Sequence, residues 1–270
     1  MKKYSASEAE NTLQLSRIHE EWTTNYRTRD NDLFYRCAFK RIFRIFKAPK
    51  GYTIVDAGCG SCYKSKIIVD FGYRVLGIDI SASALSMARD SINGTEYENH
   101  IDLQQHNLTD IKLSDKSIDY LISWGVLMHI PQIDKAIAEM CRIVKNGGYI
   151  AVSESNMYSL QAITIRMLKR LLKKEKAEIK NTSAGLEFWE KTDEGDLMTR
   201  QTNAKWLVLE FEKHGMKLVN RNAGQFTELY WLVNTKFIKK IIHIFNNIWF
   251  EFIKIPSPAF GNIFIFKKIN

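Results

Sequence analysis

Between residues 52 and 155, short apolar runs alternate with segments whose apolar positions recur every three or four residues. The runs "YTIVDAG", "RVLGIDI", "IDYLISW" and "YIAVSES" each have the length of a buried strand and end in glycine or polar residues. "IDLQQH" supplies one more strand. Between the runs lie the helical segments "SKIIVDFG", closed by Gly72, "ASALSMARDSI", capped by Ser81, and "IDKAIAEMCRIV", ended by "KNGG". Strands and helices in this order fold as right-handed crossovers onto a parallel sheet. The pattern predicts a doubly wound α/β fold.

The flanks add less regular elements. Ser7 with Glu10 makes a capping-box pattern ahead of "NTLQLSRIHEEW", and Asp30 or Asn31 can cap "DLFYRCAFKRIFRIF", where Leu33, Cys37 and Ile42 fall near one face. Residues 1–48 thus read as an N-terminal helical cap on a domain formed by 49–270. Beyond residue 155 the pattern predicts a basic helix at about 157–174, whose default is a solvated face. A polar stretch over 175–200 follows, then the helix "AKWLVLEFEKHG" and strands near "MKLVNRN" and "GNIFIFKK". An insert at about 224–258 contains "KFIKKIIHIFNNIWFEFIKI", which Lys239, Lys240, His243, Asn246, Asn247 and Glu251 interrupt too often for a membrane span. It reads as a lid helix packed on the core, with a membrane-interface helix as the alternative.

Composition narrows the classes. Hydrophobic residues make up 45% and charged residues 26% of the 270, ordinary for a globular chain, so global disorder is not expected. Lysine plus arginine number 39 against 30 acidic residues, a net charge of +9 that favours an anionic partner. No nucleic-acid-binding module accompanies that charge, so no nucleic acid is expected. The N-terminal lysines have no apolar run behind them, and Cys37, Cys59, Cys62 and Cys141 do not form a disulfide framework. A cytoplasmic protein is expected, with peripheral contact at the inner membrane face as the alternative; the oligomeric state is left open.

The candidate chemistry lies in "IVDAGCGSCYKS", residues 54–65. Cys59 and Cys62 spell C-x-x-C, yet Cys37 and Cys141 are isolated and no second ligand pair exists, so no metal site is expected. The glycines make more predictions. Gly58 permits a tight turn after the strand, Gly60 lets the backbone approach a ligand, and Asp79 falls where a carboxylate can bind both ribose hydroxyls. The third glycine of a dinucleotide fingerprint would stand at Tyr63. A pyrophosphate site is therefore disfavoured.

With these residues the chain resembles the class I S-adenosylmethionine-dependent methyltransferases over roughly residues 50–155. The resemblance implies a Rossmann-like, mostly parallel seven-stranded sheet with N-terminal helices and a helical insert before the last strand. It also implies S-adenosylmethionine as cofactor, leaving S-adenosylhomocysteine as product. Asp56 matches the family's acid near the methionine amino group, Gly58 and Gly60 its first two loop glycines, and Asp79 its ribose acid, with Ile80 beside it. Asn107 stands where an aspartate commonly faces the adenine amino group, and Leu108 where a backbone N–H meets the ring. Cys62 replaces the third glycine, a position expected to serve close helix packing. The C-x-x-C is then fortuitous.

Methyl transfer depends on alignment and exclusion of water. The topology would place Ser123, Trp124, Met128, His129, Glu154 and Asn156 near the reaction, with Met128 and Asn156 toward a small-molecule acceptor. His129 reads as a general base or as a packing residue, and Glu154 as a carboxylate that binds or deprotonates the acceptor or as a solvated acid. Trp22 and Tyr26 either close over the cofactor's methionine end or pack between helices. "GLEFWEKTDEGDLMTRQT" through "AGQFTELYW" is similar to family members associated with bacterial surface-polysaccharide clusters, which implies O-methylation of a sugar-like or phosphorylated acceptor. The alternatives are N- or C-methylation of a lipid or quinone-like substrate, and a catalytically silent cofactor-binding partner subunit.

Overall fold

A computed structural model describes residues 4–19, 28–172, 177–193 and 195–269. Its centre is a seven-stranded sheet in the order β3-β2-β1-β4-β5-β10-β9, parallel except for β10, which runs antiparallel to both neighbours. The strands are β1 (Thr53–Ala57), β2 (Arg74–Asp79), β3 (Ile101–Gln105), β4 (Ile118–Trp124), β5 (Val144–Ser155), β9 (Met216–Ala223) and β10 (Gly261–Lys268). Helices α3 (Tyr63–Asp70), α4 (Ala82–Ile92) and α5 (Ile133–Ile143) form the crossovers. The "KNGG" segment lies inside β5, which begins at Val144 immediately after α5.

Both faces of the sheet are covered at its centre, which is why β1, β2, β4 and β5 carry continuous apolar runs, whereas the edge strands β3 and β9 are largely polar. Ile54, Ile122, Ala151 and Ile265 face a cluster shared with α2 (Arg29–Phe46), α3 and α4; their neighbours Val55, Leu121, Val152 and Phe264 face a cluster shared with α5 and α7 (Ala204–Lys213). Helix α1 (Ala6–Thr12) begins at Ser5, whose hydroxyl accepts from the Glu8 N–H; the expected Ser7 cap is displaced by two residues. Thr28 caps α2, rather than Asp30 or Asn31. The buried face of α2 includes Phe34, Tyr35, Ala38, Phe39, Ile42, Phe43 and Phe46; Leu33 is 51% exposed and Cys37 is exposed.

The stretch expected to be merely polar is a three-stranded antiparallel sheet: β6 (Glu178–Thr182), β7 (Gly185–Thr192) and β8 (Gly195–Thr202). Its buried positions include Glu187, Asp196, Arg200 and Thr202, so the alternation that would mark the strands is carried by polar residues. Helix α6 (Leu160–Leu171) follows β5, and residues 224–260 join β9 to β10, carrying α8 (Lys236–Ile248). The apolar stripe of α8 is turned outward instead of onto the core: Phe237 is 72% exposed, while His243 and Asn246 are buried.

Candidate active site

The strand order reverses between β1 and β4, and crevices form at such a point beyond the carboxyl ends of the strands. A cavity of about 410 Å³ lies there, within the range of small-molecule sites. Its wall includes Gly58, Gly60, Asp79, Ile80, Asn107, Leu108, Trp124, Met128, His129 and Glu154. One crevice gathers ten of the expected residues.

The glycine loop is shaped by its own backbone. Gly58 has φ +80° and donates its N–H to the Ile78 carbonyl at 2.7 Å; a Cβ here would overlap the Val126 methyl groups. Gly60, at φ +53° with open space where a Cβ would stand, donates to Asp79 Oδ2 at 2.8 Å, and the Ser81 N–H donates to Oδ1 at 2.9 Å. Burial pushes the Asp79 carboxyl up, against the pull of these backbone donors. Cys62 is fully buried with φ 61°. The position therefore demands a left-handed backbone, beyond the packing role expected of it, and cysteine holds that geometry at about 1–2 kcal/mol. A hydrogen bond with Cys62, together with burial, pushes the Cys59 thiol well above its usual range.

Asn107 differs from expectation in what it offers. Its Oδ1 accepts from both the N–H and the hydroxyl of Thr109, each at 2.9 Å, which leaves the Nδ2 donor for a ligand. Trp124 ends β4 within a ring cluster, with centroids 5.5 Å from Tyr35 and 5.4 Å from Phe39. That cluster seats α2 against the crevice.

Opposite the loop, the short turn Leu127–His129 follows β4. Glu154 Oε1 accepts the Leu127 N–H at 3.1 Å, and Oε2 has no hydrogen-bond partner among the described residues. Burial pushes this carboxyl up to about 8, although the amides of residues 126–128 pull it down. His129 Nδ1 lies 3.2 Å from the Met198 carbonyl; a carbonyl only accepts, so Nδ1 carries the proton and Nε2 the lone pair. Burial lowers this imidazole to about 4, so it is neutral at pH 7. Arg200, fully buried on β8, donates to the Leu127, Ile130 and Pro131 carbonyls at 3.0, 2.9 and 3.2 Å and pairs with Glu187 at 2.8 Å. The turn hangs on this guanidinium.

Three expected residues stand elsewhere. Asp56 is buried beneath the loop, accepting the Ser65 hydroxyl at 2.6 Å and pushed up to about 6 by burial, and does not line the cavity. Ser123 points away from the cavity into the interior, as its neighbour Trp124 occupies the other face of β4. Asn156 is a clamp: its Nδ2 donates to Ser257 O at 2.7 Å and Ala259 O at 3.2 Å, tying β5 to the approach to β10. Tyr26, with Trp22, lies outside the described residues. Conversely, Tyr35, Lys64, Thr199, Glu228 and Phe260 line the cavity unannounced by any motif. Of these only Lys64, beside the loop, stood within reach of a local reading.

Residues 55–152 match the protein family described as Methyltransferase domain. That matched segment, residues 55–152, is a class I S-adenosylmethionine-dependent methyltransferase domain. It is similar to a demethylmenaquinone methyltransferase of Desulfitobacterium hafniense, 30% identical over 115 residues, or 41% of this chain and 45% of that one. A 2-methyl-6-phytyl-1,4-hydroquinone methyltransferase of Synechocystis is 25% identical over 190 residues, 69% of this chain and 52% of the relative. The chain thus spans about half the length of the curated relatives it matches. The fold also resembles magnesium protoporphyrin IX methyltransferase from Synechocystis, solved with bound S-adenosylhomocysteine; the TM-score is 0.64 at 12% identity, over 98% of this chain and 100% of that one.

The raised carboxyl of Glu154 has a thermodynamic consequence. An unfolded glutamate releases its proton near 4.5, and Glu154 in the fold near 8. Between those values the folded state holds the extra proton, so the group's contribution to stability falls as pH rises. Asp56, at about 6, and Glu228, which desolvation raises to about 7, add slopes of the same sign. Glu154→Gln keeps an acceptor for the Leu127 N–H and removes the titration. The variant should melt higher than the parent at pH 8 and gain less at pH 5; equal gains at both values would show that Glu154 is ionised in the fold.

Proposed function

We propose that the chain methylates a hydroxyl of a small polar acceptor, sugar-like or phosphorylated, with S-adenosylmethionine as donor. The observation that carries this reading is the presence of both a neutral, tautomer-fixed His129 and a protonated Glu154 on the wall of the cavity that the glycine loop borders. When bound, S-adenosylmethionine supplies a methyl group already activated on a sulfonium.

The chain's residues suit that cofactor. Gly58 and Gly60 keep the loop free of side chains, and Asp79 is a buried carboxylate held by backbone donors, with lone pairs left to accept from ribose hydroxyls. The Asn107 Nδ2 donor and Leu108 border the region expected for the adenine. At the acceptor side His129 Nε2 can take a hydroxyl proton. Glu154, protonated at neutral pH, can donate to an acceptor oxygen through Oε2. Lys64, whose ammonium lies 5.3 Å from the Tyr35 ring centroid, brings positive charge to the wall and favours a phosphorylated acceptor.

A second reading, N- or C-methylation of a membrane-associated lipid or quinone-like acceptor, is favoured by the hydroquinone methyltransferase match over 69% of this chain. A labelled-methyl screen over nucleotide sugars, glycans, lipids and quinols, with the methylated atom located by NMR, separates the two. Cofactor binding with no transfer to any of them would favour the silent-partner reading. Calorimetry tests the cofactor placement: Asp79→Ala should weaken S-adenosylmethionine at least about tenfold, since hydrogen bonds to a charged group contribute about 1.5–3 kcal/mol each. Asp79→Asn, which keeps one acceptor oxygen, should lose less. Unchanged affinity in both folded variants would remove Asp79 from the ribose site.

A further inference from the structure

Helices α6 and α8 have their polarity turned inside out. On α8 the inward positions are polar: Asn246 donates to the Thr227 carbonyl at 2.8 Å and accepts the Thr227 N–H at 3.0 Å, while the His243 ring lies 4.4 Å from that of Tyr230. The outward positions are apolar, with Phe237, Ile241, Ile244 and Phe245 each at least 40% exposed. On α6 the buried residues are Ala162 and Gln161, whose Oε1 accepts from the Thr227 hydroxyl at 2.5 Å and the Glu228 N–H at 2.8 Å, and Met167, Leu168 and Leu171 face out. Thr227 thus hydrogen-bonds to the inward side of both helices. The turn after α8 extends the surface through Phe252, which is 80% exposed.

Scattered exposed leucines need no explanation, but an apolar stripe along the outer face of a helix whose inner face is polar does. Its charge indicates what covers it. Helix α6 has no acidic residue and carries Lys169 and Arg170 near its end. Residues 229–255 bear the exposed Lys236, Lys240 and Lys254, and their one carboxylate, Glu251, is paired with Arg41 at 3.3 Å. A second copy of the chain docked face to face would bring these cations together. An anionic lipid surface takes up the apolar side chains and attracts the cations at once. Among the described residues no helix is long and apolar enough to cross a membrane, which suits helices lying in the interface.

We propose that α6, α8 and the turn after α8 form a docking surface for an anionic membrane, apart from the methyl-transfer reading above. The experiment uses the full chain and vesicles of phosphatidylcholine, with or without phosphatidylglycerol, in co-sedimentation. Binding to the anionic vesicles should exceed that to neutral ones at least about tenfold and weaken with salt. Combined Phe237→Ser, Ile241→Ser and Ile244→Ser should reduce anionic-vesicle binding at least about tenfold, and because these side chains are exposed the melting temperature should hold. Lys236→Glu with Lys240→Glu should reduce it on anionic vesicles alone. No binding at low salt, or binding that the serine variant retains, overturns the proposal. So does a dimer by light scattering that the serine changes dissolve without any vesicle binding by the parent, which would assign the face to a second copy.

Discussion

Arg200→Ala is expected to lower stability by about 3–5 kcal/mol, because it leaves Glu187 buried without its partner. Three carbonyls, those of Leu127, Ile130 and Pro131, also lose a donor in a place with little access to water. Denaturant unfolding would register the loss as a lower midpoint. A double variant separates the causes: Arg200→Met with Glu187→Met removes both charges, so the recovered part reports the ion pair, and the remaining deficit reports the carbonyls together with the Trp189 indole N–H, which donates to Glu187 at 3.1 Å. If Arg200→Ala melts within about 1 kcal/mol of the parent, the guanidinium does not hold the turn.

That arginine shows why part of the site was closed to sequence reading. Strands β1, β2, β4 and β5 announce themselves because burial on both faces makes them continuous apolar runs, and Gly58, Gly60 and Asp79 follow at fixed local spacing. In β7 and β8 the inward positions hold Glu187, Asp196 and Arg200, so the alternation reads as a polar loop. Side-chain direction was hidden too. Ser123 and Trp124 are neighbours at a strand end, yet the pleat sends one into the interior and the other to the cavity. On α2 the chosen positions Leu33 and Cys37 lay on the outer side, whereas Phe34, Ala38 and Phe39 form the packed stripe. Glu228 and Phe260 reach the cavity from the connection between β9 and β10, a meeting of distant segments that no spacing encodes. For α8 the period was legible and its orientation was not: a stripe of isoleucine and phenylalanine implies a core face unless the opposite side can be satisfied by hydrogen bonds, as Asn246 is.

His129→Ala should lower kcat at least about a hundredfold for a hydroxyl acceptor, while S-adenosylmethionine affinity stays within about threefold. Sequence alone suggests a pH limb near 6–7, the ordinary range of imidazole. The fold moves it. Burial lowers His129 to about 4, and a base must be unprotonated to act, so its contribution should be complete by about pH 6 and fall only as pH drops toward 4. An imidazole so weakly basic still serves here, because a hydroxyl oxygen undergoing alkylation becomes strongly acidic and gives up its proton late in bond formation. The Met198 carbonyl fixes the proton on Nδ1 and leaves Nε2 as the acceptor, so His129→Gln, whose amide cannot take up a proton, should fail nearly as badly as alanine. An amine acceptor, delivered already unprotonated, would need only positioning, and the loss should then be about tenfold or less with recovery in the glutamine variant. A flat kcat between pH 5 and 7 in the parent, together with the hundredfold loss in both variants, would identify His129 as the base. A limb near 8 that Glu154→Gln abolishes would assign that role to Glu154 instead.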